Sequence, residues 1–332
     1  MKITAKVNSN IALVKYWGKR DEKLILPNNS NISVAYDKLN TITTVEFDPK
    51  YEKDIFILDG KEIAEGSVLE KTISHLNKIR EKANIETKAK IASQNNFPTA
   101  AGLASSASGF SALAFAGSKA AGLDLDLKEL SILSRLSGSG SASRSLHGGF
   151  VEWQKGKKED GSDSYAFQIE KPDYWPEFRI IVTIVSMSAK KVSSTKGMNA
   201  TMGTCPMYQG WLDTIEQDLE MVRKGIAQKN FTKVGKTAEN NCLKMHATMI
   251  TTNPPLIYWE PDTLRIMKAV QDWREEGLES YFTIDAGPQV KILCLEKDAQ
   301  KIEKRLQNIQ GVKQTIVCEV GGEAKIINNH LF

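Results

Sequence analysis

Cysteine and histidine are scarce in this sequence, and neither falls at a redox or metal-binding spacing. The four cysteines, Cys205, Cys242, Cys294 and Cys318, are far apart with no C-x-x-C pair. That argues against a zinc ribbon or a disulfide framework and leads us to expect reduced thiols in a cytoplasm. The four histidines, His75, His147, His246 and His330, form no H-E-x-x-H or similar pattern, so no transition-metal site is expected. No apolar run approaches the ~18 residues that cross a bilayer; the best candidate, Ile180-Ile181-Val182-Thr183-Ile184-Val185, reads as a buried strand. Near the N-terminus only Ile11–Val14 is continuously apolar, too short for the core of a signal peptide. No charge of one sign dominates. With 44 Lys+Arg against 40 Asp+Glu, the net charge is +4, and no basic run is interleaved with aromatics, so nucleic acid is not an expected partner.

What is present is ordinary globular chain: 332 residues, 41 % hydrophobic and 25 % charged. At about 150 residues per domain this suggests two domains with a core large enough to need no staple. β-branched stretches predict strands at 2–7 and 41–47, and Asp59-Gly60 marks a hairpin between Ile55–Leu58 and Lys61–Ile63. Further strands are predicted near 88–93, 149–153, 179–186, 280–284, 290–295 and 313–318. Helical periodicity predicts helices near 68–83, 105–121, 127–137, 206–228, 231–248, 261–276 and 298–308. Strands and helices mix without strict βαβ alternation, which predicts an α+β fold. The change of texture places a division near residue 186, giving halves 1–186 and 187–332.

The segment from Asn95 to Ser108 is dominated by Gly, Ala and Ser and feeds a predicted helix. Such a loop can turn backbone N–H groups toward an anion, with the helix N-terminus adding favourable partial charge. It lacks the Lys of a Walker A loop. Composition alone leaves open a closely packed helix start with Ser105 as an ordinary N-cap.

The exact string narrows the choice. Pro98-Thr99-Ala100-Ala101-Gly102-Leu103-Ala104-Ser105-Ser106-Ala107-Ser108 resembles the ATP-phosphate loop of the superfamily named for galactokinase, homoserine kinase, mevalonate kinase and phosphomevalonate kinase. Its wording is most similar to the mevalonate diphosphate decarboxylase family. Three more strings resemble that family in the same order: Asn10 to Lys19, Gly138 to Ser145, and Tyr281 to Pro288. The resemblance implies a two-lobed small-molecule kinase fold, with a ribosomal protein S5 domain 2-like N-terminal half and a ferredoxin-like C-terminal half around a cleft. It implies ATP-dependent decarboxylation of 5-diphosphomevalonate through phosphorylation of the C3 hydroxyl. The partners it implies are a small-molecule substrate and a second subunit of a homodimer, with no membrane and no nucleic acid.

Carried residue by residue, the resemblance assigns catalysis to Asp285, Lys19 and Arg144, with Lys19 against the Asp285 carboxylate. It assigns substrate binding to Tyr16, Trp17, Gly18, Lys19, Ser139, Gly140, Ser141, Ala142, Ser143, Arg144, Ser194 and Thr195. It assigns ATP to Asn96, Pro98, Ala101, Gly102, Leu103, Ala104, Ser105, Ser106 and Ser108. Mg²⁺ is expected to arrive with ATP, with Ser106 as its candidate contact on the protein. Taken alone, Asp285 before Ala286-Gly287-Pro288 reads as a turn residue, Lys19 as a snorkelling cation and Arg144 as a surface charge. An Arg nonetheless suits bidentate carboxylate binding. Two departures stand beside the acid, Ile284 and Gln289. The family's additional phosphate-binding Arg has no counterpart at 66–71, leaving Lys71 and Arg80 as substitutes. Lys190 and Lys191 read equally as phosphate contacts or solvated charges. The rival readings are decarboxylation of the 5-monophosphate, C3 phosphorylation alone, and a non-catalytic nucleotide-binding relative.

Overall fold

A computed structural model describes residues 1–97, 105–188 and 191–332. The chain runs β1 (Lys2–Val14), β2 (Lys19–Asp21), β3 (Leu26–Pro27), β4 (Asn31–Phe47), β5 (Ile55–Leu58), β6 (Lys61–Glu62), α1 (Ser67–Ala83) and β7 (Ala89–Asn95). It continues through α2 (Ser105–Ala120), α3 (Leu127–Arg135), α4 (Ala142–Ser145), β8 (Phe150–Trp153), β9 (Ala166–Glu170) and β10 (Phe178–Ile184). Then come α5 (Ser194–Thr204), α6 (Tyr208–Ala227), α7 (Phe231–Ile250), α8 (Pro261–Glu275), β11 (Tyr281–Ile284), β12 (Val290–Leu295), α9 (Glu296–Gln307), β13 (Gln314–Cys318) and β14 (Lys325–Ile327).

The fold is α+β, as expected. The first sheet is ordered β14-β1-β4-β7-β5-β6, with β8 on β4 and β9 on β8. Its backbone is the antiparallel β1–β4 pair, interrupted by register shifts between Asn8 and Asn10 and between Ala12 and Val14. These strands run much longer than 2–7 and 41–47, because Asn10, Asn31 and Ser33 are buried polar residues that conceal the apolar alternation. β4 then serves two neighbours, β8 through Asn31–Val34 and β7 through Thr41–Phe47. α2 lies against this sheet. A Cβ on its Gly117 would come within 2.8 Å of Ile79 Cδ1 on α1, so the glycine lets the tip of Ile79 pack directly on the α2 backbone.

The second sheet is ordered β11-β12-β10-β13. β10 is buried at every residue, in keeping with its unbroken apolar run, and it pairs on both sides. It precedes residue 186 yet belongs to the second sheet, while β14, from the end of the chain, pairs with β1 in the first sheet. A single buried cluster joins Ile11, Leu13, Ile32 and Phe150 to Ile180, Val182, Leu219, Tyr281 and Leu293. The two halves thus share their largest core. The site lies above it, where the ends of β1 and β11 meet.

Candidate active site

The end of β11 delivers Asp285 to a cavity of about 250 Å³. The loop before α4, the start of α5 and the segment after β1 form its other walls. Among the sequence-predicted residues, Tyr16, Trp17, Lys19, Ser106, Ser139, Gly140, Ser141, Arg144, Ser194, Thr195 and Asp285 all line it.

Asp285 is 29 % exposed, and its Oδ1 accepts a hydrogen bond from Lys15 Nζ at 2.7 Å; the Lys15 side chain is 1 % exposed. Burial works to raise the pKa of this carboxyl, but the charges of Lys15, Lys291 and Arg144, with the Lys15 hydrogen bond, overcome it. Asp285 therefore ionises below its usual range. This corrects the expectation for Lys19. The cation on Asp285 is Lys15, four residues earlier in the same string. Lys19 instead lines the cavity beyond the turn at Gly18. Burial lowers its pKa, Glu22 opposes that, and Lys71 lowers it further.

Gly18 does not line the cavity. Its φ is +117°, and a Cβ there would lie 1.8 Å from the Tyr208 hydroxyl. That hydroxyl donates to the Trp17 carbonyl at 2.8 Å, so the glycine lets helix α6 clamp the loop. Tyr16 packs edge-on against Trp153 at 4.8 Å, and Trp17 Nε1 donates to Thr201 Oγ1 at 3.1 Å.

The Arg144 guanidinium is buried against two amides. Nε and Nη2 donate to Asn10 Oδ1 at 3.3 and 3.1 Å, and Nη1 donates to Asn31 Oδ1. Burial draws its pKa down to about 10, which leaves it charged at neutral pH. Both partners are neutral acceptors, so the positive charge stays available to an anion in the cavity. Asn10 lines the cavity too and stands in the string from Asn10 to Lys19, but sequence reasoning gave it no role.

A chain of serine hydroxyls also borders the cavity. Ser106 Oγ lies 3.2 Å from Ser139 Oγ, which lies 3.3 Å from Ser141 Oγ. Ala142 and Ser143 are fully buried behind this loop and brace it: Ser143 Oγ donates to the Gly140 carbonyl at 2.8 Å, and Ser111 Oγ to that of Ala142. Ser108 is also buried, 2.7 Å from Thr41 Oγ1. The Asn96 amide ties the loop before α2 to β4 through Asn40 N–H and the Lys38 carbonyl at 2.8 and 2.7 Å. Ser105 opens α2. Pro98, Ala101, Gly102, Leu103, Ala104 and Lys190 lie outside the described residues. Lys191 is exposed.

Ser193 caps α5 by accepting from Lys196 N–H at 3.3 Å. The first turn of α5, with Ser194 and Thr195, lines the cavity, bringing the partial positive charge of a helix N-terminus to its wall. Of the two substitutes for the missing arginine, Lys71 lines the cavity. Arg80 is buried in an ion pair with Asp54 and donates to the Thr87 carbonyl at 2.9 Å. Gln289 does not shape the pocket. Its Oε1 accepts from Val185 N–H at 2.7 Å, joining β12 to the end of β10. His246 is buried, stacks on Trp259 at 4.8 Å and puts Nε2 3.3 Å from the Ile284 carbonyl. Burial draws its pKa down to about 3, which fits a structural residue better than a base. No group of three potential metal-ligating His, Cys, Asp or Glu residues occurs among the described residues, nor any helix long and apolar enough to cross a membrane.

Comparison with known proteins places both halves of the chain in one family. Residues 7–166 match the family model for the diphosphomevalonate decarboxylase-like N-terminal domain, and residues 180–328 that for the mevalonate 5-diphosphate decarboxylase C-terminal domain. Diphosphomevalonate decarboxylase of Candida albicans is 37 % identical over 99 % of this chain and 95 % of its own. The mevalonate diphosphate decarboxylase structure from Staphylococcus aureus is 41 % identical with a TM-score of 0.92, covering 98 % of both chains. MDDEF, solved in complex with MVAPP, AMPPCP and magnesium, is also 41 % identical with a TM-score of 0.92, covering 98 % of this chain and 99 % of its own. Four motifs in order, one cavity that gathers them, and matches spanning both halves lead to one conclusion: the chain belongs to the diphosphomevalonate decarboxylase family.

Proposed function

We propose that the protein converts (R)-5-diphosphomevalonate and ATP to isopentenyl diphosphate, ADP, phosphate and CO₂, in the mevalonate pathway of isoprenoid biosynthesis. The observation that carries this reading is the Lys15–Asp285 ion pair, which shares one cavity with Arg144 and the serine chain. In such a substrate the carboxylate is β to a tertiary hydroxyl. Loss of CO₂ with departure of the C3 oxygen makes a double bond, but hydroxide leaves poorly. Phosphorylation supplies a better leaving group.

Asp285, kept ionised by Lys15, orients the C3 hydroxyl and accepts its proton as the phosphoryl group arrives. The Lys15 ammonium then faces the charge that develops around the transferred oxygen. Arg144, presented by Asn10 and Asn31, holds the substrate carboxylate until it leaves as CO₂. Lys19 and Lys71, with Ser139 and Ser141, receive the diphosphate, and Ser194 and Thr195 add hydroxyl contacts. The loop at 98–108 and the α2 N-terminus hold the ATP phosphates. The neutral hydroxyl set around Ser106 fits Mg²⁺ carried mainly by phosphate oxygens. When bound, the ion neutralises charge on the transferred group. A cytoplasmic homodimer belongs to the same proposal, resting on the family resemblance; light scattering tests the dimer.

The decisive experiment offers ATP·Mg²⁺ with mevalonate, its 5-phosphate or its 5-diphosphate, and records ADP, phosphate, CO₂ and alkene separately. Alkene from the diphosphate supports the proposal. ADP without CO₂ would identify a kinase, and no ADP with any substrate a non-catalytic relative. Asp285→Asn is expected to lower kcat by roughly three orders of magnitude while substrate KM stays within about tenfold. Near-normal turnover in that variant would remove Asp285 from the mechanism.

A further inference from the structure

Lys15 is gripped by its backbone from two directions. Its N–H donates to Asn241 Oδ1 at 2.7 Å, and its carbonyl accepts from Asn29 Nδ2 at 2.8 Å. β1 ends at Val14, so Lys15 is the first peptide beyond the strand's own ladder and needs a side-chain acceptor for its buried N–H. Asn241 is 0 % exposed and sits midway along α7. Its orientation is fixed from behind: Nδ2 donates to Asp218 Oδ2 at 2.6 Å, and that oxygen also accepts from Lys244 Nζ at 2.6 Å. An amide whose nitrogen must face a carboxylate can only turn its oxygen to Lys15.

The next residue on α7 grips the other half of the ion pair. Cys242 Sγ accepts from Ile284 N–H at 3.1 Å and lies 3.4 Å from the Ile284 carbonyl. Ile284 is the last residue of β11 and adjoins Asp285. Two consecutive residues of one helix therefore hold the peptide carrying the base and the peptide carrying its cation.

We propose that Asn241, held by Asp218, is a positioning residue that sets the Lys15 ammonium on Asp285. This inference rests on the proposed function. A long lysine side chain finds one defined geometry only if its Cα is fixed, and misplacement on the ångström scale costs about 100-fold in well-oriented reactions. Besides Lys15, the titratable and charged groups facing Asp285 are Lys291 from β12, Arg144 from α4, Tyr36 from β4, and Cys242 and His246 from α7. A substitution at 241 removes none of them, so a change in Asp285 ionisation reports on Lys15.

The test compares Asn241→Leu, Asp218→Leu and Asp218→Asn in the full-length protein. Asn241→Leu is expected to lower kcat about 30-fold or more while KM for both substrates stays within about threefold. The acid limb of kcat should move up by about half a pH unit or more, because the carboxylate loses part of its cation. Asp218→Leu is expected to do the same more weakly. Asp218→Asn keeps an oxygen for the Asn241 amide and should stay within about threefold of the parent. A ¹³C carboxyl NMR titration of Asp285, assigned by its disappearance in Asp285→Asn, reads the same shift without turnover. A folded Asn241→Leu protein with an unmoved acid limb and Asp285 titration overturns the inference, as does equal damage from Asp218→Asn. If Asn241→Leu does not fold, Asp218→Leu against Asp218→Asn decides on the same readouts. If the parent yields no CO₂ from any mevalonate derivative, the proposed function fails and the NMR titration still decides the role of Asn241.

Discussion

Lys15 and Lys19 divide two electrostatic tasks between neighbouring positions of one short string. Lys15 is paired with a carboxylate, whereas Lys19 shares its wall with Lys71 and is held below the ordinary lysine range by burial and then by that second cation. Their substitutions should separate in kinetics. Lys15→Met is expected to cut kcat by about 100-fold or more and shift the acid limb upward, while Lys19→Met chiefly raises KM for the phosphorylated substrate. The reverse pattern in pH-resolved steady-state kinetics would return the catalytic role to Lys19. Arg144→Lys should recover little of the activity lost in Arg144→Ala, since an ammonium cannot keep both the Asn10 and the Asn31 contacts. At this scale Asp285, Arg144 and the serines were legible because each stands in a distinctive string. The choice between Lys15 and Lys19 was not. It depends on how the chain is held after β1, which the Asn241 and Asn29 contacts to the Lys15 backbone, the Gly18 turn and the Tyr208 clamp decide together.

At the scale of elements, α1 and α7 each bury a histidine for different ends. His246 on α7 stacks beneath the site, but His75 on α1 is fully buried beside Phe110 with neither ring nitrogen hydrogen-bonded among the described residues. Burial pulls the His75 pKa from 6.5 down to about 3. The unfolded chain then binds more protons than the folded one between those values. The stability His75 contributes is intact above pH 6.5 and is lost as pH falls, at up to about 1.4 kcal/mol per pH unit. His75→Leu should remove that dependence. Between pH 7.5 and 5.0 the variant is expected to lose about 2 kcal/mol less than the parent in urea unfolding, and equal losses would contradict it. The long helices were readable from periodicity because their buried faces are apolar. β2, β3 and β14 were missed because each has two or three residues and owes its existence to the strand beside it.

At the scale of the whole molecule, the shared core and the crossed strands couple the halves. A buried carboxylate on β8, Glu152, pairs with Arg223 on α6 at 2.6 Å. The last residues are tied down as well: the Phe332 ring lies under the ammonium groups of Lys2 and Lys90, 4.7 and 4.5 Å from its centroid, and Leu331 N–H donates to Thr44 Oγ1 at 3.0 Å. Deleting 325–332 should lower the calorimetric melting temperature by about 3 °C or more, and an unchanged value would show that the terminal strand is ornamental. The crossed strands also bear on how the protein is born. A ribosome makes β14 only after all the other described elements, although its partner is β1, so the edge of β1 waits unpaired through the synthesis of everything between them. That edge is where a nascent chain would recruit a chaperone or a neighbour's strand, and the emergence of β14, more than that of the first half, is the moment at which it closes.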